Sequence, residues 1–412
     1  MSDRIFFVDP ARGESVKYCE LAEDIRNARS FSPYCRSERF YDIFLNIILS
    51  LIAGKSITLF DSDFSDKEVI SLIGDLDLID RKESFRCPSR FDIEDLAGIM
   101  NPRCSDWSIT LFTSGTTGLP KRVTHTLDSL TRFVKVSDKH YGDVWGYAYN
   151  PTHMAGLQVF FQALMNLNPM IRLFGLNKEN IEDCIRGYGI THISATPTFY
   201  RLMLPSGSAC PSVTRLTSGG EKFDGHSLAE LKRMFPNAKL TNVYASTEAG
   251  TLFGSAGNIF TVRDAMSGKV RVVDGELYLH SSLLGESDML DLVDGWYRTG
   301  DLVEVETESP LSFRFVSRKN EMINVGGYKV NPTEVESAIR RIKGIRDVHV
   351  YAKSNRLMGN VICADVVRIE NDIEEADIRQ TLRDSLQEFK IPRVIMFVDS
   401  LNMTRTGKIS RK

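Results

Sequence analysis

Through about residue 318, short runs of β-branched and aromatic residues alternate with stretches whose apolar positions recur every three or four residues, and this alternation restricts the fold most. Residues 57–60, 144–149, 171–174 and 191–194 read as strands. Residues 178–187 and 227–235 read as amphipathic helices, and 43–53 as a buried helix leading into the strand at Ile57. Repetition of this kind predicts an α/β fold with largely parallel strands and helices covering the sheet. The apolar run 43–53 is far short of the roughly 20 residues a membrane-spanning helix needs, so no span is expected.

Around residues 254–284 the pattern changes to short alternating strands, 269–273 and 276–280, separated by the turn pair Asp274-Gly275. A small antiparallel β unit is expected there. From Asn331 onward, Pro332 opens a helix through Arg341, followed by strands at 348–352 and 361–367, a helix at 373–389 and a strand at 394–398. That is a compact α+β unit, and the 412 residues accommodate two or three packed units.

Charge and cysteine usage exclude several functions. Lys plus Arg number 51 against 54 Asp plus Glu, a net charge of −3, so no surface for coating nucleic acid or an anionic membrane is expected and any anionic ligand must be held locally. The seven cysteines (19, 35, 87, 104, 184, 210 and 363) are scattered without a C-x-x-C pair, which suggests reduced thiols in a cytoplasm rather than disulfides or zinc. Met1-Ser2-Asp3-Arg4 lacks the charged-then-apolar pattern of a secretory leader, and no H-x-x-x-H spacing suggests a zinc hydrolase.

The first chemically informative segment is Ile109 to Lys121, in which a strand runs into Thr113-Ser114-Gly115-Thr116-Thr117-Gly118 before Leu119-Pro120-Lys121. Glycines let backbone N–H groups converge on an anion, hydroxyls add donors and Lys121 adds positive charge, so the loop suits phosphates. It lacks the Gly-Lys-Ser/Thr ending of a Walker A loop, and on composition alone it would also suit an ordinary turn. Further along come Thr217-Ser218-Gly219-Gly220-Glu221, Tyr244-Ala245-Ser246-Thr247-Glu248-Ala249-Gly250, Gly295 to Asp301, Ser317 to Lys329, and Thr404-Arg405-Thr406-Gly407-Lys408-Ile409. In this order the segments resemble the adenylate-forming superfamily, which includes acyl-CoA synthetases, aryl-acid ligases, peptide-synthetase adenylation domains and luciferases. The resemblance covers roughly residues 105–412.

The resemblance implies a role for each segment. Thr113, Ser114, Gly115, Thr116, Thr117, Gly118 and Lys121 would hold the β- and γ-phosphates of ATP; Gly219, Gly220 and Glu221 would lie along adenine, and Tyr244 would stack on it. Thr247 would bind the α-phosphate, Glu248 would place Mg²⁺, Asp301 would accept the ribose hydroxyls, Arg318 would close over the sugar, and Lys408 would reach into the adenylation site. Taken alone, Asp301 would pass for a turn carboxylate, Glu248 for a solvated helix residue and Lys408 for part of a frayed basic tail. His153, in Pro151-Thr152-His153-Met154-Ala155-Gly156, resembles a residue bordering the acyl site, where a packed histidine is the competing reading; Thr198, Ser218 and Gly250 complete the expected acyl border.

The implied architecture is a large N-terminal domain, residues 1–318, of layered α/β subdomains plus the small β unit, and a small mobile α+β lid, residues 319–412, hinged near Asn320. The family's hinge residue is usually Asp or Lys, so Asn320 is a departure. Gly326 and Gly327 match the loop that lines a tunnel for a phosphopantetheine thiol, although two glycines also suit a tight turn. The function implied is ATP-dependent activation of a carboxylic acid followed by transfer to CoA. Loading onto an acyl or peptidyl carrier protein and a non-catalytic nucleotide-binding homologue are the alternatives. The short N-terminal portion and abbreviated 250–301 segment look most like compact succinylbenzoate-type CoA ligases.

Overall fold

A computed structural model describes residues 3–87, 91–100, 106–113, 120–204, 208–219, 225–325, 328–355, 359–369 and 373–403. Its largest sheet has eight strands in the order Gly250–Ser255, Lys239–Ser246, Arg215–Gly219, His192–Ala195, Trp145–Tyr147, Met170–Arg172, Ile5–Asp9 and Glu14–Lys17. The six inner strands are parallel and each edge strand is antiparallel to its neighbour. A four-stranded sheet of Tyr34–Arg36, Ile57–Phe60, Ser108–Thr113 and Lys121–Thr126 is parallel except for its last pair.

The helix Phe40–Ala53 is apolar around most of its circumference, and such a helix must be covered on all sides. It contributes to one core with strand residues of both sheets and with the helix Met154–Leu164, where Phe44 stacks on Phe160 with ring centroids 4.8 Å apart. Helices Lys178–Tyr188 and Gly225–Met234 cover the other face of the eight-stranded sheet, packing Ile181, Ile185 and Leu231 against Ile193 and Leu216.

The antiparallel unit is larger than expected. It comprises Ile259–Thr261, Leu311–Arg318, Trp296–Glu308, Glu276–His280 and Val270–Val273, with Leu292–Val293 pairing onto the start of the long strand. The long strands escaped the sequence reading because residues 304–308 are all exposed and leave too few buried positions to show an alternation. The Asp274-Gly275 turn has positive φ at both residues (50° and 75°), as a two-residue hairpin connection demands.

The last unit has helices Pro332–Arg340 and Glu375–Arg383 and a sheet of Ile345–Asn355, Gly359–Arg368 and Val394–Phe397 around a core drawn only from residues 323–397. The helix expected at 373–389 ends at Arg383: past Leu382 the apolar spacing breaks, and a 3₁₀ turn, Glu388–Lys390, follows. Asp347 pairs with Arg340 at 2.8 Å and, across to helix Pro197–Leu202, with Arg201 at 3.4 Å. Burial raises the Asp347 pKa, but the two guanidinium groups outweigh it and hold the carboxyl below its ordinary value.

Gly156 is the tightest point near the cavity described below. A Cβ there would lie 2.3 Å from the Asn150 carbonyl oxygen and 2.7 Å from the Tyr147 hydroxyl. Because backbone is in the way, Gly156→Ala is expected to destabilise the fold by about 1–3 kcal/mol, read as a lower urea midpoint at unchanged slope; an unchanged midpoint would refute this packing.

Candidate active site

Strands Ser108–Thr113 and Lys121–Thr126 pair antiparallel with Thr113 opposite Lys121, so these two residues stand together where the expected phosphate loop leaves and re-enters the sheet. Ser114, Gly115, Thr116, Thr117 and Gly118 lie outside the described residues, as do Gly220, Glu221, Gly326, Gly327 and Lys408. Lys121 is half-buried, and among the described residues no carboxylate pairs with it.

Four residues along the same strand, His125 is 1% exposed and its Nε2 lies 2.7 Å from the Thr247 carbonyl oxygen. A carbonyl only accepts, so Nε2 carries the proton and Nδ1 is left to accept from the Ser129 hydroxyl at 3.1 Å. Burial pushes the imidazole pKa from 6.5 down to about 4, against the raising influence of the Thr247 hydrogen bond and the Glu248 carboxylate. Gly285 closes the same junction: its N–H donates to the Glu248 carbonyl at 2.7 Å, and a Cβ on it would meet His125 Cε1 at 2.6 Å. Thr124 and Glu286 exchange backbone hydrogen bonds of 2.8 Å beside it. The strand Lys121–Thr126 is thereby fastened to the backbone of Thr247 and Glu248.

On the antiparallel sheet, Asp301 and Arg318 face each other in register. Asp301 is 3% exposed; it accepts from the Tyr244 hydroxyl at 2.5 Å and from Arg318 Nε at 3.0 Å. Burial, and then Asp301, drive the Tyr244 pKa well above its ordinary value. Burial lowers the Arg318 pKa, but Asp301 together with Tyr244, Glu321 and Glu248 outweighs it and holds the group above its ordinary value. The Tyr244 ring is itself buried, packed between Phe253 and Phe260. Glu276 braces the turn from behind, accepting from the Gly300 N–H at 3.2 Å, Arg298 at 3.0 Å and Lys319 at 3.2 Å. Its pKa, raised by burial, is brought below the usual value by Arg298 and Lys319.

A cavity of about 400 Å³ lies on the face of the eight-stranded sheet that carries Thr217, Gly219, Thr241 and Val243, and Thr247 lines it as well. His153 also lines it, with Nε2 3.2 Å from Asp61 Oδ2, an ion-pair distance without hydrogen-bond alignment. Asp61 also accepts from Asn150 at 3.2 Å and from the Thr152 hydroxyl. Gly219 permits close strand packing, since a Cβ there would lie 2.4 Å from Val243 Cγ2. Gly250 has φ +67° and faces Gln158 and Met154, two lining residues. Thr198 and Ser218 point elsewhere: Thr198 is buried and accepts from Arg201 at 2.7 Å, and Ser218 is fully buried on the strand face opposite Thr217, its hydroxyl without a partner among the described residues.

Comparison with known proteins identifies the family and the fold. Residues 58–274 match the model of the AMP-binding enzyme family, and residues 334–408 match that of the AMP-binding enzyme C-terminal domain. The chain belongs to the AMP-binding enzyme family. A 2-succinylbenzoate–CoA ligase of Listeria monocytogenes is 29% identical over 332 residues, covering 73% of this chain and 68% of the relative. Among solved structures, ATP-bound MatB from Rhodopseudomonas palustris superposes with a TM-score of 0.74 at 19% identity, covering 99% of this chain and 94% of that one. MenE from Bacillus subtilis, an o-succinylbenzoate CoA synthetase solved with its acyl-adenylate intermediate, gives 0.71 at 18% identity, with 99% and 94% covered. These superpositions place the chain in the fold of AMP-binding enzymes.

Two residues of this AMP-binding enzyme were not singled out from sequence. His125 had a usable signal, since it shares the inward face of its strand with Val123, where a titratable side chain must find a partner. Glu276 had none, because only the strand pairing brings it behind Gly300. His125 generates a pH prediction. The unfolded chain takes up its proton near pH 6.5 and the folded chain only near 4, so the stability it contributes is full above 6.5 and falls as pH drops through that window, by about 3 kcal/mol in all. Urea unfolding from pH 7 to 4 should show a steeper loss for the wild type than for His125→Gln; equal slopes would refute a buried neutral imidazole.

Proposed function

We propose that the chain is an AMP-forming acid–CoA ligase, which converts a carboxylic acid and ATP to an acyl-adenylate and pyrophosphate and then transfers the acyl group to the CoA thiol, releasing AMP. The observation that carries this reading is the strand Lys239–Ser246. Thr241, Val243 and Ala245 line the cavity from one of its faces, while Tyr244 on the other donates to Asp301, which also accepts from Arg318. One strand thus presents an acid pocket and a polar nucleotide side to the same turn, Thr247-Glu248.

The chemistry requires little beyond charge placement. The acid is already ionised at neutral pH, so no general base is needed, but like charges about 4 Å apart repel by about 4 kcal/mol at an effective dielectric of 20. Lys121, at the root of the phosphate loop, and Lys408 would offset that repulsion. Thr247 would orient the α-phosphate, and Asp301 with Arg318 would hold the ribose. A Mg²⁺ site fits Glu248, which is half-buried and has no cationic side-chain partner among the described residues. A Mg²⁺ ion binds well through one or two carboxylates and fills the rest of its shell with phosphate and water. When bound, the ion would neutralise phosphate charge.

Thioester formation forms the sulfur–carbonyl bond, breaks the mixed anhydride and expels AMP as the thiol proton is lost. In this reading residues 319–412 act as a lid that turns about Asn320, withdraws Lys408 and brings Gly326 and Gly327 to the thiol path. The Arg201–Asp347 pair would have to part during that turn. CoA is the acceptor favoured here, because the curated relatives that match over most of their own length are CoA ligases. A cytoplasmic location is part of this reading; among the described residues no helix is long and apolar enough to cross a membrane.

The test is acid-dependent formation of AMP and of a CoA thioester, followed by mass spectrometry. Lys408→Ala should lower acid-dependent pyrophosphate exchange on the order of 10²-fold while ATP binding persists; equal losses in both would refute its role. Gly327→Trp should depress thioester formation more than pyrophosphate exchange, and an unchanged thioester rate would remove the tunnel assignment.

A further inference from the structure

We infer that the acid accepted by this cavity carries hydrogen-bond-accepting oxygen substituents along one edge of its body, and is not a plain alkyl acid. The inference rests on the reading above that the cavity is the acid site.

The cavity floor is built from neighbouring parallel strands in strict register. Ser194 pairs with Thr217, and Thr217 with Thr241, so three hydroxyl side chains stand side by side across three strands. All three line the cavity, at a strand spacing of about 4.8 Å. None of these hydroxyls has a hydrogen-bond partner among the described residues. One strand further, Trp145 pairs with His192, two residues before Ser194, and lines the same cavity. Its indole Nε1 is buried and lacks a partner among the described residues. An indole N–H only donates, so whatever satisfies it must be an acceptor.

Charge points the same way. Lys135 and Arg263 also line the cavity; both are exposed, and neither pairs with a carboxylate among the described residues. Phe133, Met154, Leu252 and Phe253 add rings and aliphatic carbon to a lining that also carries the amides of Asn150, Gln158 and Gln162. The cavity is therefore mixed in character, with unpaired donors along the strands and hydrocarbon elsewhere in its lining. A ring-bearing acid with hydroxyl, methoxy or keto groups on one edge meets both. A straight alkyl chain would displace water from the hydroxyls and the indole and replace none of the lost hydrogen bonds.

The test is ATP–pyrophosphate exchange by the full chain with benzoic and phenylpropionic acids, unsubstituted or bearing hydroxyl, methoxy or keto groups, beside straight-chain acids from hexanoate to dodecanoate. The best oxygen-substituted acid should exceed its unsubstituted parent about tenfold or more in kcat/KM. Thr217→Val and Thr241→Val keep side-chain shape and should bring that ratio down toward one, whereas Thr217→Ser, which keeps the hydroxyl, should restore it. Straight-chain acids matching the substituted ones, or Val variants that slow all acids in equal proportion, would overturn the inference and leave the ligase reading standing. Binding of ATP with no exchange for any acid would instead overturn the ligase reading, and this inference with it.

Discussion

A buried carboxylate links the eight-stranded sheet to the antiparallel sheet at the edge of the apolar core they share. Asp301, on a long strand of the antiparallel sheet, accepts from Tyr244 of the eight-stranded sheet and from Arg318 of the adjoining strand. Desolvating a carboxylate is costly, and the cost is met here by two directed hydrogen bonds, one of them charge-assisted. The Arg318 side chain is half exposed, so the pair lies between the weak surface limit and the strong buried one. Its main consequence is geometric: with Tyr244 and Arg318 both bonded to it, Asp301 ties the two sheets together at the residues for which a ribose-binding role is proposed.

A second set of contacts fixes the other end of the same region. His125 and Gly285 fasten the strand Lys121–Thr126 to the backbone of Thr247 and Glu248, and Glu276 fixes Gly300 and Lys319 from behind. Each uses a group whose ionisation burial or pairing has shifted: a histidine kept neutral and a glutamate kept charged. Neither needs to touch substrate. Both hold backbone in place, which matters because catalysis by charge placement depends on fixed positions rather than on strong individual contacts.

The strand–helix alternation made the α/β core legible: the helix ending at Ala53, the strand Ile57–Phe60 and the helix Lys178–Tyr188 follow from apolar spacing alone. The motifs likewise marked Tyr244, Asp301 and Arg318, which the structure brings together although 74 residues of sequence separate the first from the last. What spacing could not convey was pairing. The long strands Trp296–Glu308 and Leu311–Arg318 bury too few residues to show an alternation, and the hydroxyl row Ser194, Thr217, Thr241 exists only as register between strands. Thr198 and Ser218 sit in segments that suggested an acyl border, yet strand alternation turns Ser218 away and Arg201 holds Thr198 in the protein interior.

The most direct measurement is a crystal structure with a nonreactive acyl-sulfamoyl adenosine bearing a hydroxybenzoyl group. The expected result is a ribose hydrogen-bonded to Asp301, with the acyl ring inside the cavity against Thr217 and Thr241. A mimic bound with its sugar away from Asp301, or a cavity left empty beneath it, would contradict the assignment of one strand to both substrates.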